Sequence, residues 1–217
     1  MEEQLKELYE NEWHKFDSFR ADVKDENFSG PLLLELKSYH SQKIKLLIVG
    51  QQTKYWATHS STLDDLLDIY SGFNLGKGYV NSPFWNITRK IESIIGIDKY
   101  SCAWTNLNRF DYKGAEPEGV ILEKIKEFDY LVKDEIRILK PDICLFYTHN
   151  KYDYRLRNLF NNLQFTKIDN LPSDQFSKLS HSELPEHTYR TPHPNSIRLR
   201  KWESEFLNAM KEILPKV

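Results

Sequence analysis

Ile44-Lys45-Leu46-Leu47-Ile48-Val49-Gly50-Gln51-Gln52 is the stretch that decides the fold: an apolar, strand-like run that stops abruptly at a glycine and two amides. Two further runs have the same character, Tyr100-Ser101-Cys102-Ala103-Trp104-Thr105 and Asp142-Ile143-Cys144-Leu145-Phe146-Tyr147. A weaker one, His187-Thr188-Tyr189-Arg190, leads into Thr191-Pro192-His193-Pro194-Asn195-Ser196-Ile197-Arg198. Short apolar runs of this kind read as strands buried on both faces.

The segments between them carry helical periodicity. Leu5, Leu8, Tyr9, Trp13 and Phe16 define a first helix, an N-terminal extension over about residues 1–26 that ends before Lys24-Asp25-Glu26-Asn27. Ser82 and Pro83 open a helix with Phe84, Ile87, Ile91 and Ile94 on one face. One long helix is expected through Ile121, Ile125, Phe128, Val132 and Ile136, stopped by Pro141. A short helix around Tyr154 to Phe160, a strand near Phe165 to Ile168 and a long polar loop follow. The last helix carries Leu199, Trp202, Phe206 and Ile213, with Asn195 or Ser196 as its cap. This alternation predicts one α/β domain over residues 1–217, three-layered α/β/α, with a central, mostly parallel four-stranded sheet.

Composition narrows the classes. The chain is 40% hydrophobic and 29% charged, with 5 Trp, 12 Tyr and 12 Phe, which fits a soluble globular protein with aromatic surface available for stacking. A formal net charge of −2 gives no global attraction to nucleic acid, so DNA binding needs a local basic face. Cys102 and Cys144 are the only cysteines and both sit in apolar runs, pointing to a reducing compartment without a disulfide framework. The acidic start and the lack of an apolar run of about 18 residues favour a cytoplasmic protein with no membrane partner. A monomer is expected. The seven histidines, at 14, 40, 59, 149, 181, 187 and 193, include no helical i, i+4 pair, and there is neither a phosphate-cradling Gly-x-x-x-x-Gly-Lys-Ser/Thr run nor a Gly-x-Ser-x-Gly elbow. No cofactor and no metal is expected.

Taken in order, these motifs resemble the uracil-DNA glycosylase superfamily over about residues 44–207. Gly50-Gln51-Gln52 is similar to the start of that family's water-activating motif, Gly-Gln-Asp-Pro-Tyr-His in its best-known branch. Phe73, within Ser71-Gly72-Phe73-Asn74, falls where the family places the aromatic that stacks on uracil. Asn106, closing Trp104-Thr105-Asn106, matches the base-reading asparagine, and His193-Pro194-Asn195-Ser196-Ile197 resembles His-Pro-Ser-Pro-Leu. The resemblance implies a monofunctional glycosylase fold that acts on DNA without cofactor.

It also implies roles. Gln52 and His193 would be catalytic, Gln52 orienting water and His193 donating to the uracil O2 as charge develops. Gln51, Phe73, Asn106 and Tyr55 would hold the base, with Tyr55 and Trp56 narrowing the pocket against a 5-methyl group. Asn195, Ser196, Arg198, Arg200 and Lys201 would meet phosphates, and Ile197 would be the apolar wedge that fills the gap left by the flipped base. The chain departs from the family at Gln52, where a neutral amide replaces a carboxylate that can accept a proton. Two cysteines exclude the four-cysteine iron–sulfur branches. Two alternatives stand beside the glycosylase: a binding module that keeps the pocket without cleavage, favoured by Gln52, and a hydrolase of small nucleosides, favoured by the mildly acidic charge.

Overall fold

The computed structural model describes residues 1–23, 27–58 and 60–217. Its elements begin with α1 (Glu2–Val23), β1 (Phe28–Ser29), β2 (Leu46–Gly50), α2 (Leu63–Phe73), α3 (Pro83–Ile95), β3 (Ala103–Asn106) and β4 (Asp111–Tyr112). They continue with α4 (Gly119–Lys126), α5 (Tyr130–Leu139), β5 (Ile143–Phe146), α6 (Asp153–Leu159), β6 (Gln164–Lys167), β7 (Ser177–Ser180), β8 (His187–Arg190), α7 (Pro194–Leu199) and α8 (Glu203–Ile213). The fold is α/β, with helices around a mixed six-stranded sheet of order β3-β2-β5-β8-β7-β6. The first four strands are parallel, so Gly50, Asn106, Phe146 and Arg190 all end at one edge.

The apolar runs became the strands they resemble because every residue of β2, β3 and β5 is buried. The sheet nevertheless has six strands rather than four. β7 pairs antiparallel with β8, and β6 antiparallel with β7, adding a hairpin where only a strand near Phe165 to Ile168 and a loop were expected. β6, the edge strand, is polar because it buries little: three of its four residues are exposed, a composition that discourages edge-to-edge pairing with other chains. β1 and β4 form a separate two-stranded ladder.

Two expected helices are each broken in two. Between α4 and α5, Phe128 turns inward against Phe16, Phe19 and Phe110, with ring centres 5.1–5.9 Å apart, and the Asp129 carboxylate accepts from Arg155 Nε at 2.8 Å. Tertiary contacts here override a continuous helical pattern. The last helix breaks between Leu199 and Glu203, where Lys201 takes a left-handed backbone (φ 58°) and Trp202 packs on Phe176. By contrast α2 opens with a full capping box, the Asp65 N–H donating to Thr62 Oγ1 and the Thr62 N–H to the Asp65 carboxylate.

Helix α1 belongs to the core. Tyr9 and Phe16 are fully buried, and Tyr9 OH donates to Glu135 Oε1 at 2.7 Å. Glu135 forms an ion pair with Arg109 at 2.6 Å, both side chains fully buried, while Arg109 also donates to Thr105 Oγ1 and to the Leu32 carbonyl. Removing one partner of such a pair leaves a buried charge unmatched, at a cost of about 3–5 kcal/mol. The helix was expected to end before Lys24; residues 24–26, the last of the expected extension, lie outside the described residues. Among the described residues no helix is long and apolar enough to cross a membrane.

Candidate functional site

β2 lies between β3 and β5, so the chain steps outward to β3 and then returns across β2 to reach β5. Such a reversal of strand order opens a crevice at the carboxyl edge, where α/β sheets hold their ligands. Here it is a cleft of about 900 Å³, lined by the loop after β2 (Gln51 to Trp56), Asn106 of β3, His149 after β5, and His193, Asn195 and Ser196 after β8, with Phe73 from the end of α2. Backbone bonds continue the ladders past the strands and lock these loops together. Asn108 N–H donates to the Gln51 carbonyl (2.8 Å), Tyr147 N–H to Val49, and His149 N–H to Thr191.

Asn106 is 1% exposed and its amide has one orientation. Trp104, two residues earlier and so on the same side of the strand, donates its indole N–H to Asn106 Oδ1 at 3.2 Å. An indole can only donate, which assigns the oxygen to that side and leaves Nδ2 without a protein partner. Gly50 makes this packing possible, since a Cβ there would overlap Asn106 Oδ1. Gly50→Ala is therefore expected to destabilise the fold by about 1–3 kcal/mol, the usual range for overpacking, and to displace the Asn106 amide. Thermal melting checks it; an unchanged melting temperature would mean that the amide is free to move.

His193 is the N-cap of α7, in place of the expected Asn195 or Ser196: its Nδ1 accepts from the Asn195 N–H at 3.2 Å. That bond fixes the tautomer, so the neutral ring turns Nε2–H outward as a donor. Burial, with His149 nearby, lowers the His193 pKa to about 4. His149 itself was not singled out from sequence. Its Nε2 lies 3.0 Å from Ser196 Oγ, and its pKa is lowered by burial and by Lys151, Arg200 and Arg190. Its backbone (φ 64°, ψ 161°) lies in a region almost reserved for glycine, a strain that clusters at functional sites.

Phe73 is half-buried, with ring centres of Trp56 and Tyr79 5.2 Å away and those of Trp85 and Trp104 5.5 Å away. This makes a broad aromatic wall. Gln51 Nε2 and Gln52 Oε1 are buried there without protein partners. Among the described residues lining the cleft there is no carboxylate, so nothing replaces the proton acceptor that Gln52 lacks. The nearest organising acid is Asp111, fully buried behind the loop, which accepts from Ser29 Oγ (2.6 Å), Thr53 Oγ1 (2.7 Å), Gly114 N–H (2.9 Å) and Tyr55 N–H (3.3 Å). It holds the Gln52 loop in shape. Among the described residues, which omit His59, no three His, Cys, Asp or Glu side chains gather to hold a metal ion.

Other expected residues sit differently. Ile197 is fully buried and seats α7 on the core, so it cannot serve as the wedge; the exposed apolar side chain of that turn is Leu199, at 83%. Arg198 Nε is engaged by Glu203 at 3.0 Å, which leaves it less free for phosphate, whereas Lys201 is exposed. Asn195 and Ser196 line the cleft. Tyr55 is 66% exposed, left-handed (φ 53°), with its ring lying across Gly114, so it stands at the mouth and does not narrow the floor against a methyl group. Comparison with protein families gives no match, and no curated protein is significantly similar to this chain.

Proposed function

We propose that this protein is a DNA glycosylase of the uracil-DNA glycosylase type, with that family's three-layer α/β/α fold, hydrolysing the bond between a deaminated base and its sugar. The observation that carries this is the pairing of a fixed Asn106 amide with a fixed His193 donor in one aromatic cleft. A flipped base stacking at Phe73 would find two complementary groups in Asn106: Nδ2 to donate to a carbonyl, and the second lone pair of Oδ1 to accept a ring N–H. An amino-bearing base reverses that pattern and is rejected.

As the glycosidic bond breaks, its electron pair moves onto the base, and His193 Nε2–H stabilises the charge at a second carbonyl. The sugar is left as an oxocarbenium-like cation. Gln52 Oε1 accepts a hydrogen bond from the attacking water and aims its lone pair at the anomeric carbon; the proton released on addition passes to the departing base or to solvent. Asn195, Ser196 and Lys201 are the groups available to the flanking phosphates, and Leu199 takes the wedge role assigned earlier to Ile197.

Excision from oligonucleotides carrying a deaminated base, read by strand scission at the abasic site, tests the proposal. The rate is expected to hold as pH falls past 6.5, the ordinary histidine range, and to drop only towards pH 4. Protonation there puts a hydrogen on Nδ1, opposes the Asn195 N–H and ejects the ring. A limb centred on pH 6.5 would contradict the half-buried, neutral His193. The second reading, a binding module, is favoured by the lack of a carboxylate in the cleft; it predicts base or DNA binding with no product. A steep fall of affinity with salt separates DNA from a small nucleoside as ligand.

A further inference from the structure

His149 holds a backbone conformation, φ 64° and ψ 161°, that only glycine adopts without strain. Two backbone bonds fix it there: its N–H donates to the Thr191 carbonyl at 3.1 Å, and its carbonyl accepts from the Tyr152 N–H at 3.3 Å. A glycine would make both. What a glycine lacks is the imidazole, whose Nε2 lies 3.0 Å from Ser196 Oγ and ties the loop after β5 to the first turn of α7. The strain therefore directs attention to the ring.

The contact with His149 is the only hydrogen bond of the Ser196 hydroxyl among the described residues. A hydroxyl carries one proton, so when Nε2–H donates to Oγ the Ser196 O–H is left for a ligand in the cleft that both residues line. The charges around the pair favour an anion. Burial and the cations Lys151, Arg200 and Arg190 all oppose protonation of His149. Of these cations Lys151 is paired with Glu116 and Arg190 with Asp153, while Arg200 has no ion pair among the described residues. No carboxylate among the described residues lines the cleft to repel an anion.

We propose, resting on the glycosylase reading, that His149 is a positioning residue for the DNA backbone: its Nε2–H fixes the Ser196 hydroxyl as a donor to one phosphodiester beside the flipped nucleotide, and its strained backbone is what that placement demands. A hydroxyl already held in place loses little rotational freedom on binding, and its bond to a phosphate oxygen is charge-assisted. Stability and binding are then opposed at this one residue. Relaxing the backbone strengthens the fold and takes away the ring.

The test measures thermal melting, equilibrium binding to a single strand carrying one uracil, and excision from that strand, for the wild-type protein, His149→Ala, His149→Gly and His149→Gln. Alanine removes the ring and keeps the strain, glycine removes both, and glutamine keeps the strain while returning an N–H donor within reach of Ser196. The glycine variant is expected to melt above the alanine variant. Both should bind about tenfold more weakly than wild type, the loss of one hydrogen bond to a charged group, and glutamine should recover to within about threefold. Each phosphate beside the uracil is then replaced in turn by an uncharged methylphosphonate; one replacement should weaken wild type about tenfold and His149→Gly less than about threefold, since the two changes remove the same contact. Wild-type affinity in His149→Gly overturns the proposal, as does affinity that follows melting temperature, a glycine variant that melts below the alanine variant, or a methylphosphonate effect equal in the two proteins. If DNA is bound and no base is released, the glycosylase reading falls while the binding measurements still decide the role of His149. A wild-type protein that binds no DNA overturns both.

Discussion

Replacing His193 with alanine is expected to lower single-turnover excision by about 10²–10³-fold, the usual effect of deleting one donor that stabilises developing negative charge. The ring supplies a single N–H, its other nitrogen being held by the Asn195 N–H. Alanine also removes the helix cap, which costs roughly 1 kcal/mol of stability. His193→Gln separates the two effects. Its amide oxygen can take over the cap while its N–H₂ donates, so the melting temperature and part of the rate should return together. A rate for His193→Ala within threefold of wild type would remove His193 from the chemistry.

Gln52→Asp is the opposite case, an expected gain. The wild-type amide orients water without accepting its proton, and the cleft holds no other carboxylate among the described residues. A positioned general base contributes typically about 10²–10⁴-fold, so even a tenfold rise identifies Gln52 as the water-orienting residue. Gln52→Glu, which keeps the length of the side chain, tests the same charge from the native atom position. If neither wild type nor Gln52→Asp yields product while base or DNA binding persists, the protein is a binding module on this fold.

The centre of the fold was legible because Leu46 to Val49 and Ile143 to Phe146 are apolar without a break, as strands buried on both faces must be. Of the β6–β7 hairpin only β6 was legible, as the strand expected near Phe165 to Ile168; Ser177-Lys178-Leu179-Ser180 has a single apolar residue and otherwise looks like loop. The breaks at Phe128 and Lys201 arise from tertiary contacts that helical periodicity does not record. Within the site, Gln51, Gln52, Asn106 and His193 come together because strand ends of a parallel sheet share an edge, and Phe73 joins them from the end of α2. His149 carried the same signal, three residues past the end of β5, and was passed over. Trp104 could have been found from its i, i+2 relation to Asn106. Asp111 had no sequence signal: a buried acid held by two hydroxyls and two amides is visible only once the chain is folded. Ile197 was misassigned because its motif position outweighed its place on the inner side of a short helix.

The buried Tyr9–Glu135–Arg109 cluster has a bearing on how genetic data for this protein should be interpreted. Arg109 follows Asn106 by three residues and grips Thr105 beside it, so the floor of the cleft is moored to a helix at the far end of the chain. In a saturation screen for lost function, Tyr9 and Glu135 would score beside Asn106 although neither lines the cleft. Distance from the site would then be a poor guide to phenotype, and a map of sensitive positions would trace the mooring as clearly as the pocket.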